Sequence, residues 1–164
     1  MISSNIKFIS TKIDTEEFKE IRKIRYDVFV TEQKCPEDEE YDEYDAEATH
    51  YLLLDNDIPI GCSRSRKYHL ADKDVYKLER FAIFKQFRGK SYGRILVEET
   101  IKAVYKETKE QNYPCYIINS QQYVESFYSK CGFITDTTIP VFYECEIPHV
   151  RMTIPMEIVK ERYS

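Results

Sequence analysis

The sequence has no tryptophan and only four glycines. No apolar run approaches the ~20 residues that a membrane-spanning helix needs, so no membrane partner is expected. Met1 to Ser10 carries a single lysine and no apolar core of leader length, so no signal peptide is expected there and the location reads as cytoplasmic. Cysteine is present without pattern. The five positions, Cys35, Cys62, Cys115, Cys131 and Cys145, are odd in number and contain no Cys-x-x-Cys, which predicts reduced thiols and no metal site. A basic excess is also missing: the formal net charge is −5, which argues against a nucleic acid as partner and suits a cationic substrate. The scarcity of glycine removes two phosphate-binding loops. A Walker A loop needs a glycine five residues before Gly89, where Phe84 stands, and the dinucleotide fingerprint needs three glycines at a spacing these do not have.

What is present predicts one domain over residues 1–164 with a substantial core. Ile6 to Ile9 reads as a strand. Asp14 reads as a helix N-cap with Glu17 in the capping-box position. Phe18, Ile21, Ile24, Val28 and Phe29 follow at helical spacing, and the helix is expected to end near Cys35-Pro36. The acidic stretch Glu37 to Glu47 reads as a loop or short helix. Tyr51 to Leu54 and Ile58 to Tyr68 form a hairpin about Asp55-Asn56-Asp57. Tyr76 to Phe84 is a long strand. An amphipathic helix through Leu96, Val97, Ile101, Val104 and Tyr105 stops before Pro114. Tyr116 to Ile118 is a strand, and Val124, Phe127 and Tyr128 predict a short helix ending at Gly132. Phe133 to Thr135, Val141 to Cys145 and Val150 to Met156 supply the last strands. This order implies a mixed α/β fold with a central, partly antiparallel sheet and helices on both faces.

One segment carries chemistry: Arg88-Gly89-Lys90-Ser91-Tyr92-Gly93, between a long strand and a long helix. Two glycines permit tight backbone, and a helix N-terminus offers unpaired N–H groups and partial positive charge. Together they form an anion site fit for a pyrophosphate, with Arg88, Lys90 and Arg94 adding full charges. The alternative is an ordinary strand-to-helix turn with surface cations. The segment resembles motif A of the GNAT acetyltransferases, Arg/Gln-x-x-Gly-x-Gly/Ala, with Ser91 standing at the usual middle glycine. Ser126-Phe127-Tyr128-Ser129-Lys130-Cys131-Gly132-Phe133 resembles the family's motif B. Arg25 to Gln33, Cys35-Pro36, His50 and Phe142 to Met152 are similar to the ElaA/YjcF-like branch.

The resemblance implies the GNAT fold: a mixed, largely antiparallel sheet with a splayed parallel pair, here Tyr76–Phe84 and Tyr116–Ile118. It implies acetyl-CoA as cofactor, with the pantetheine arm held by the backbone of Phe81, Ala82 and Ile83. The pyrophosphate falls to Arg88, Gly89, Lys90, Ser91, Tyr92, Gly93 and Arg94. It also implies transfer of acetyl to a small-molecule primary amine by direct attack, by a monomer or homodimer. A protein acetyltransferase and a non-catalytic acyl-CoA-binding module are the alternatives. Tyr128 is the expected acid at the leaving sulfur, or else a core tyrosine. Glu79 is the expected base, or else a solvent-facing strand residue or a partner of Arg80. Gln121 either binds cofactor amides or starts a helix. Arg25 and Glu32 either border the acceptor or form an internal ion pair, and His149 either lines the substrate pocket or is a hydrogen-bonded structural histidine. His50 and Cys131 read as packing residues. The acidic stretch either lines the acceptor entrance or is a solvated loop.

Overall fold

The computed structural model describes residues 5–164, so the first four residues of the leader reading at Met1 to Ser10 lie outside the described residues. Strand β1 is Ile6–Thr11, and helix α1 follows at Glu16–Arg25. Thr15 caps α1, not Asp14: its hydroxyl accepts from the Phe18 amide at 3.1 Å, from the extended backbone a cap requires. Asp14 sits at φ 47, in the left-handed region, just ahead of the cap. Glu16 and Glu17 in the first turn and Arg22, Lys23 and Arg25 in the last complement the helix dipole. Beyond Arg25 the helix continues without a break as a π-helical stretch, Tyr26–Glu32, capped at Gln33, so the helical run ends near the expected Cys35-Pro36 boundary.

The acidic stretch folds as helix α2, Glu37–Glu40, and a 3₁₀ turn, Glu43–Ala46. Strands β2, Thr49–Asp55, and β3, Ile58–Leu70, pair as the expected hairpin. Its corner residues Asn56 and Asp57 both have positive φ, the pattern of a tight hairpin turn. Strand β4 is Lys73–Ile83 and helix α3 is Tyr92–Thr108. Strand β5, Cys115–Gln121, leads to helix α4, Glu125–Lys130. Strands β6, Ile134–Thr135, β7, Phe142–Glu144, and β8, Ile147–Pro155, complete the sheet. A last helix, α5, Met156–Tyr163, is absent from the sequence reading, which ran its final strand through Met156. The eight strands run in the order β1-β2-β3-β4-β5-β8-β6, with β7 on β8. β1 with β2, β2 with β3, and β5, β6 and β7 each with β8 pair antiparallel, whereas β4 with β5 is parallel, with Tyr76 opposite Tyr116 and Lys77 opposite Ile117. No helix among the described residues is long and apolar enough to cross a membrane.

The chain divides into two compact units, Met1–Arg66 with Arg80–Thr100, and Lys67–Glu79 with Ile101–Ser164. In the first, neighbouring residues of β2 point to opposite faces. Leu52 joins Phe18, Ile21, Ile24 and Val28 of the α1 region, while Leu53 joins Ile60 and Leu96 of α3. In the second, Tyr116 on β5 bonds Thr108 at the end of α3, 2.9 Å between hydroxyls, and Ile117, Ile118, Met152 and Ile154 are buried along β5 and β8. Cys62, Cys115 and Cys131 are free thiols, whereas Cys35 and Cys145 are disulfide-bonded, which corrects the expectation of reduced thiols at every position.

Candidate active site

In the first unit β4 ends in a 3₁₀ turn, Lys85–Phe87, and Arg88, Gly89, Lys90 and Ser91 follow as an exposed loop into α3. Gly89 has φ +79, and a Cβ there would meet nothing within 4 Å, so one side of the loop is open. Ser91 adopts φ 68. It therefore takes the left-handed backbone that glycine favours, despite its Cβ. The Ile95 amide bonds back to the Ser91 carbonyl at 3.3 Å. The amides of Tyr92 and Gly93 come before that bond, in the first turn, where an α-helix supplies no acceptor.

The side chains around this turn brace it. Arg88 donates from Nε to the Ile83 carbonyl at 3.0 Å and forks onto Glu32 at 2.9 and 3.0 Å. Glu32 thus holds the loop's arginine, and Arg88 offers an anion its backbone more than its guanidinium. Arg94 reaches along its own helix to Glu98 at 2.9 Å. Tyr92 donates to Asp55 at 2.5 Å, and this bond is the main reason its phenol is held above its ordinary pKa. Within β4, Arg80 has φ 58, a left-handed residue in mid-strand that breaks the regular pleat just before Phe81, Ala82 and Ile83. Gly61 on β3 lies close beneath that segment: a Cβ there would stand 2.6 Å from the Ala82 carbonyl oxygen.

Arg25 is 1 % exposed, and its guanidinium meets Glu40 at 2.7 Å and Asp45 at 2.8 Å. Burial opposes its charge, but Glu40 and Asp45 outweigh burial and raise its pKa. Arg64 bonds Asp42 and Asp45, each at 2.7 Å, and Arg80 approaches Asp42 at 3.0 Å and Glu40 at 3.2 Å. The acidic stretch is therefore not simply a solvated loop: Glu40, Asp42 and Asp45 are partners of arginines, while Glu37, Asp38, Glu39, Glu43 and Glu47 are exposed. His50 is buried here; its Nε2 donates to the Asp45 carbonyl at 2.9 Å, which leaves Nδ1 without a partner. The Cys62 thiol is pushed up to about 12 by burial, which leaves it no thiolate for nucleophilic work.

In the second unit Glu79 is buried and faces Lys77 at 3.1 Å, so it is not the solvent-facing strand residue offered as one alternative. Arg80, the other alternative, approaches Glu40 and Asp42. Gln121 ends β5 opposite His149 on β8. His149 donates from Nδ1 to the Ile147 carbonyl at 2.7 Å, and its Nε2 lies 3.7 Å from Glu144. Tyr128, half-buried on α4, packs edge-on against Phe127 and Phe133 at ring distances of 5.1 and 6.0 Å. Burial raises its pKa, so the phenol stays protonated at neutral pH. Three side chains that the sequence reading passed over, Lys77, Asn119 and Arg151, lie on one face of this unit's sheet. The signal for Arg151 was available: it is the strand's one Lys, Arg, Asp or Glu, set between the apolar Val150 and Met152.

Residues 13–156 match the family model described as "Acetyltransferase (GNAT) domain". The N-acetyltransferase YjcF of Bacillus subtilis, itself uncharacterized, is 33 % identical over 138 residues, 84 % of this chain and 91 % of that protein. The crystal structure of Escherichia coli ElaA is similar at a TM-score of 0.72 and 23 % identity, over 90 % of this chain and 99 % of ElaA. A structure of AtaTR bound with acetyl-CoA is similar at a TM-score of 0.65 and 16 % identity, over 98 % of each chain.

Proposed function

The chain belongs to the GNAT acetyltransferase family, and on that premise we propose that it moves an acetyl group from acetyl-CoA to a primary amine of a small molecule, by direct attack in a ternary complex. The observation that carries this reading is the open turn at Gly89 to Gly93, where the first-turn amides of Tyr92 and Gly93 precede the first helical bond, Ile95 to Ser91, beside an exposed, side-chain-free glycine. Those groups fit a pyrophosphate. The binding of acetyl-CoA by AtaTR, a protein of similar fold, supports the same cofactor here. The backbone of Phe81 to Ile83 is assigned to the pantetheine amides, although the Ile83 carbonyl already accepts from Arg88.

Acetyl-CoA supplies an acetyl thioester. The amine nitrogen forms a C–N bond to the carbonyl carbon, the C–S bond breaks, and the electron pair leaves on sulfur. The amine loses one proton to a base. Glu79 is assigned that role, and His149, whose Nδ1 is committed to the Ile147 carbonyl and whose Nε2 is the nitrogen left to act, is a second candidate that Glu79→Gln and His149→Gln variants distinguish by which one abolishes turnover. Tyr128 is assigned to the leaving sulfur. A thiol of pKa about 8.5 is a stronger acid than a tyrosine of raised pKa, so Tyr128 serves the thiolate as a hydrogen-bond donor and full transfer is uphill. Arg25 is assigned a structural role and Glu32 the bracing of Arg88.

Calorimetric binding of CoA, with acetyl-CoA-dependent thiol release over an amine panel, tests the reading. Gly93→Leu is expected to weaken CoA binding. Binding without turnover on any small amine, peptide or protein would leave an acyl-CoA-binding module, and absence of binding would remove the reading altogether.

A further inference from the structure

Strands β4, β5 and β8 bring three polar side chains to one face of the second unit. Asn119 is opposite Arg151, and Lys77 is opposite Ile117, two residues before Asn119. Residues paired across strands share a face, and alternate residues along a strand do too. Tyr116, which bonds Thr108 of α3, points the other way, so Lys77, Asn119 and Arg151 lie on the face turned from the end of α3. Both cations are 8 % exposed. Both approach the Tyr68 ring: Lys77 Nζ lies 5.0 Å and Arg151 Cζ 5.7 Å from its centroid.

The charges do not balance. Lys77 has Glu79 at 3.1 Å. Arg151 donates its Nε to the neutral Asn119 amide oxygen at 2.7 Å, and no carboxylate lies within ion-pair distance of it among the described residues. Asp136 feels its charge only as the weakest of several influences and already accepts from the Thr138 amide and hydroxyl. A buried guanidinium without an anion is costly, because desolvation is not offset by an opposite charge. Asn119 fixes the plane of the guanidinium through Nε and leaves the paired terminal nitrogens, the fork that matches a carboxylate.

We propose that Arg151, supported by Lys77, holds a carboxylate of the acceptor, so that the amine acetylated belongs to an amino-acid-like molecule bearing an acid group near the amine. This rests on the acetyltransferase reading above. The missing anion arrives with the acceptor, and the rigid Asn119–Arg151 pair sets the acceptor's position.

The test compares alanine, phenylalanine and lysine with ethylamine, phenethylamine and cadaverine, which lack the carboxylate, and includes phosphoethanolamine as a phosphate-bearing arm. The acids are expected to show a KM at least about ten-fold lower, as a charge-assisted pair implies. Arg151→Gln should erase that preference mainly through KM, with unchanged CoA affinity, and Arg151→Lys should recover part of it. Asn119→Asp is the decisive variant, since it keeps Arg151 in place and supplies an internal carboxylate that competes with the acceptor's. It should lose the preference while remaining folded. Turnover with no preference for the acids, or with a preference for phosphoethanolamine instead, overturns the carboxylate subsite and leaves the acetyltransferase reading intact; loss of CoA affinity in Arg151→Gln overturns it as well. If CoA binds but no amine is acetylated, titration with N-acetylalanine and N-acetylphenylalanine decides. Saturable binding that Asn119→Asp abolishes keeps the subsite without the transfer reading, and no binding by the native protein removes the subsite.

Discussion

At the scale of the residue, Ser91 is the point where the motif and the backbone disagree. The loop asks for a residue with positive φ, and Ser91 supplies it at φ 68. A side chain there costs roughly 1–2 kcal/mol in a left-handed backbone, while glycine loses more chain entropy on folding, by about 0.5–1 kcal/mol. Ser91→Gly is therefore expected to stabilise the protein by about 0.5–1 kcal/mol in urea denaturation, without loss of CoA affinity; a lower denaturation midpoint would show that Ser91 carries a compensating bond. The sequence marked this serine as a departure but could not say whether the loop had changed shape, because a loop's backbone angles are set by its flanking strand and helix. Tyr128 is the other residue-scale prediction. Tyr128→Phe keeps the ring contacts with Phe127 and Phe133 and removes only the hydroxyl. Turnover is expected to fall by roughly 100-fold, the low end of what one positioned hydrogen-bond donor to a developing anion contributes, with nearly unchanged CoA binding. A variant as active as the native protein would return Tyr128 to the core.

At the scale of the element, patterns that depend on neighbours in sequence were legible and those that depend on neighbours in space were not. The hairpin at Asn56 and Asp57 was readable because turn residues impose their own φ. The α1 stripe was readable because burial follows helical periodicity. Thr15 was missed as cap since Asp14 and Thr15 are both capping residues one position apart, and only backbone angles separate them. Helix α5 was missed because its buried face shows in the structure as the single residue Val159. The arginine partners of the acidic stretch were hidden because Arg64 and Arg80 come from strands far along the chain. Gly61 belongs here too: nothing in its local sequence demands glycine, yet β3 and the end of β4 approach too closely there for any Cβ. Gly61→Ala would put a methyl 2.5 Å from Ile83 Cδ1, which can move, and 2.6 Å from the Ala82 carbonyl oxygen, which cannot without moving β4. The expected cost is about 1–3 kcal/mol, the range for overpacking. CoA affinity should fall with it, since the displaced backbone is the one assigned to pantetheine. A stability loss with full CoA affinity would mean that Phe81 to Ile83 do not hold the cofactor.

At the scale of the whole molecule, the buried charges make stability depend on pH in a direction that can be worked out. His50 packs edge-on to Phe18 at 4.7 Å, donates Nε2–H to the Asp45 carbonyl, and lies near Arg25 and Arg64. Burial first, and then the two arginine charges, hold its pKa below the ordinary value against the pull of Asp45. In the unfolded chain an imidazole takes up a proton below about 6.5. The folded His50 resists until a lower pH, so across that interval the unfolded state binds more protons. Stability from this group is thus full above about pH 6.5 and is lost as the pH falls toward the folded value, at up to ~1.4 kcal/mol per pH unit. Asp136, whose pKa is lowered mainly by Thr138, acts in the same direction, but only below about pH 3.9, outside that interval. His50→Gln retains an amide donor for Asp45 and cannot titrate. Urea denaturation at pH 7.5, 6.5 and 5.5 should show the native protein losing stability with acid more steeply than the variant, so that the gap between them narrows as the pH falls. Parallel losses in the two proteins would place the acid sensitivity elsewhere in the charge network.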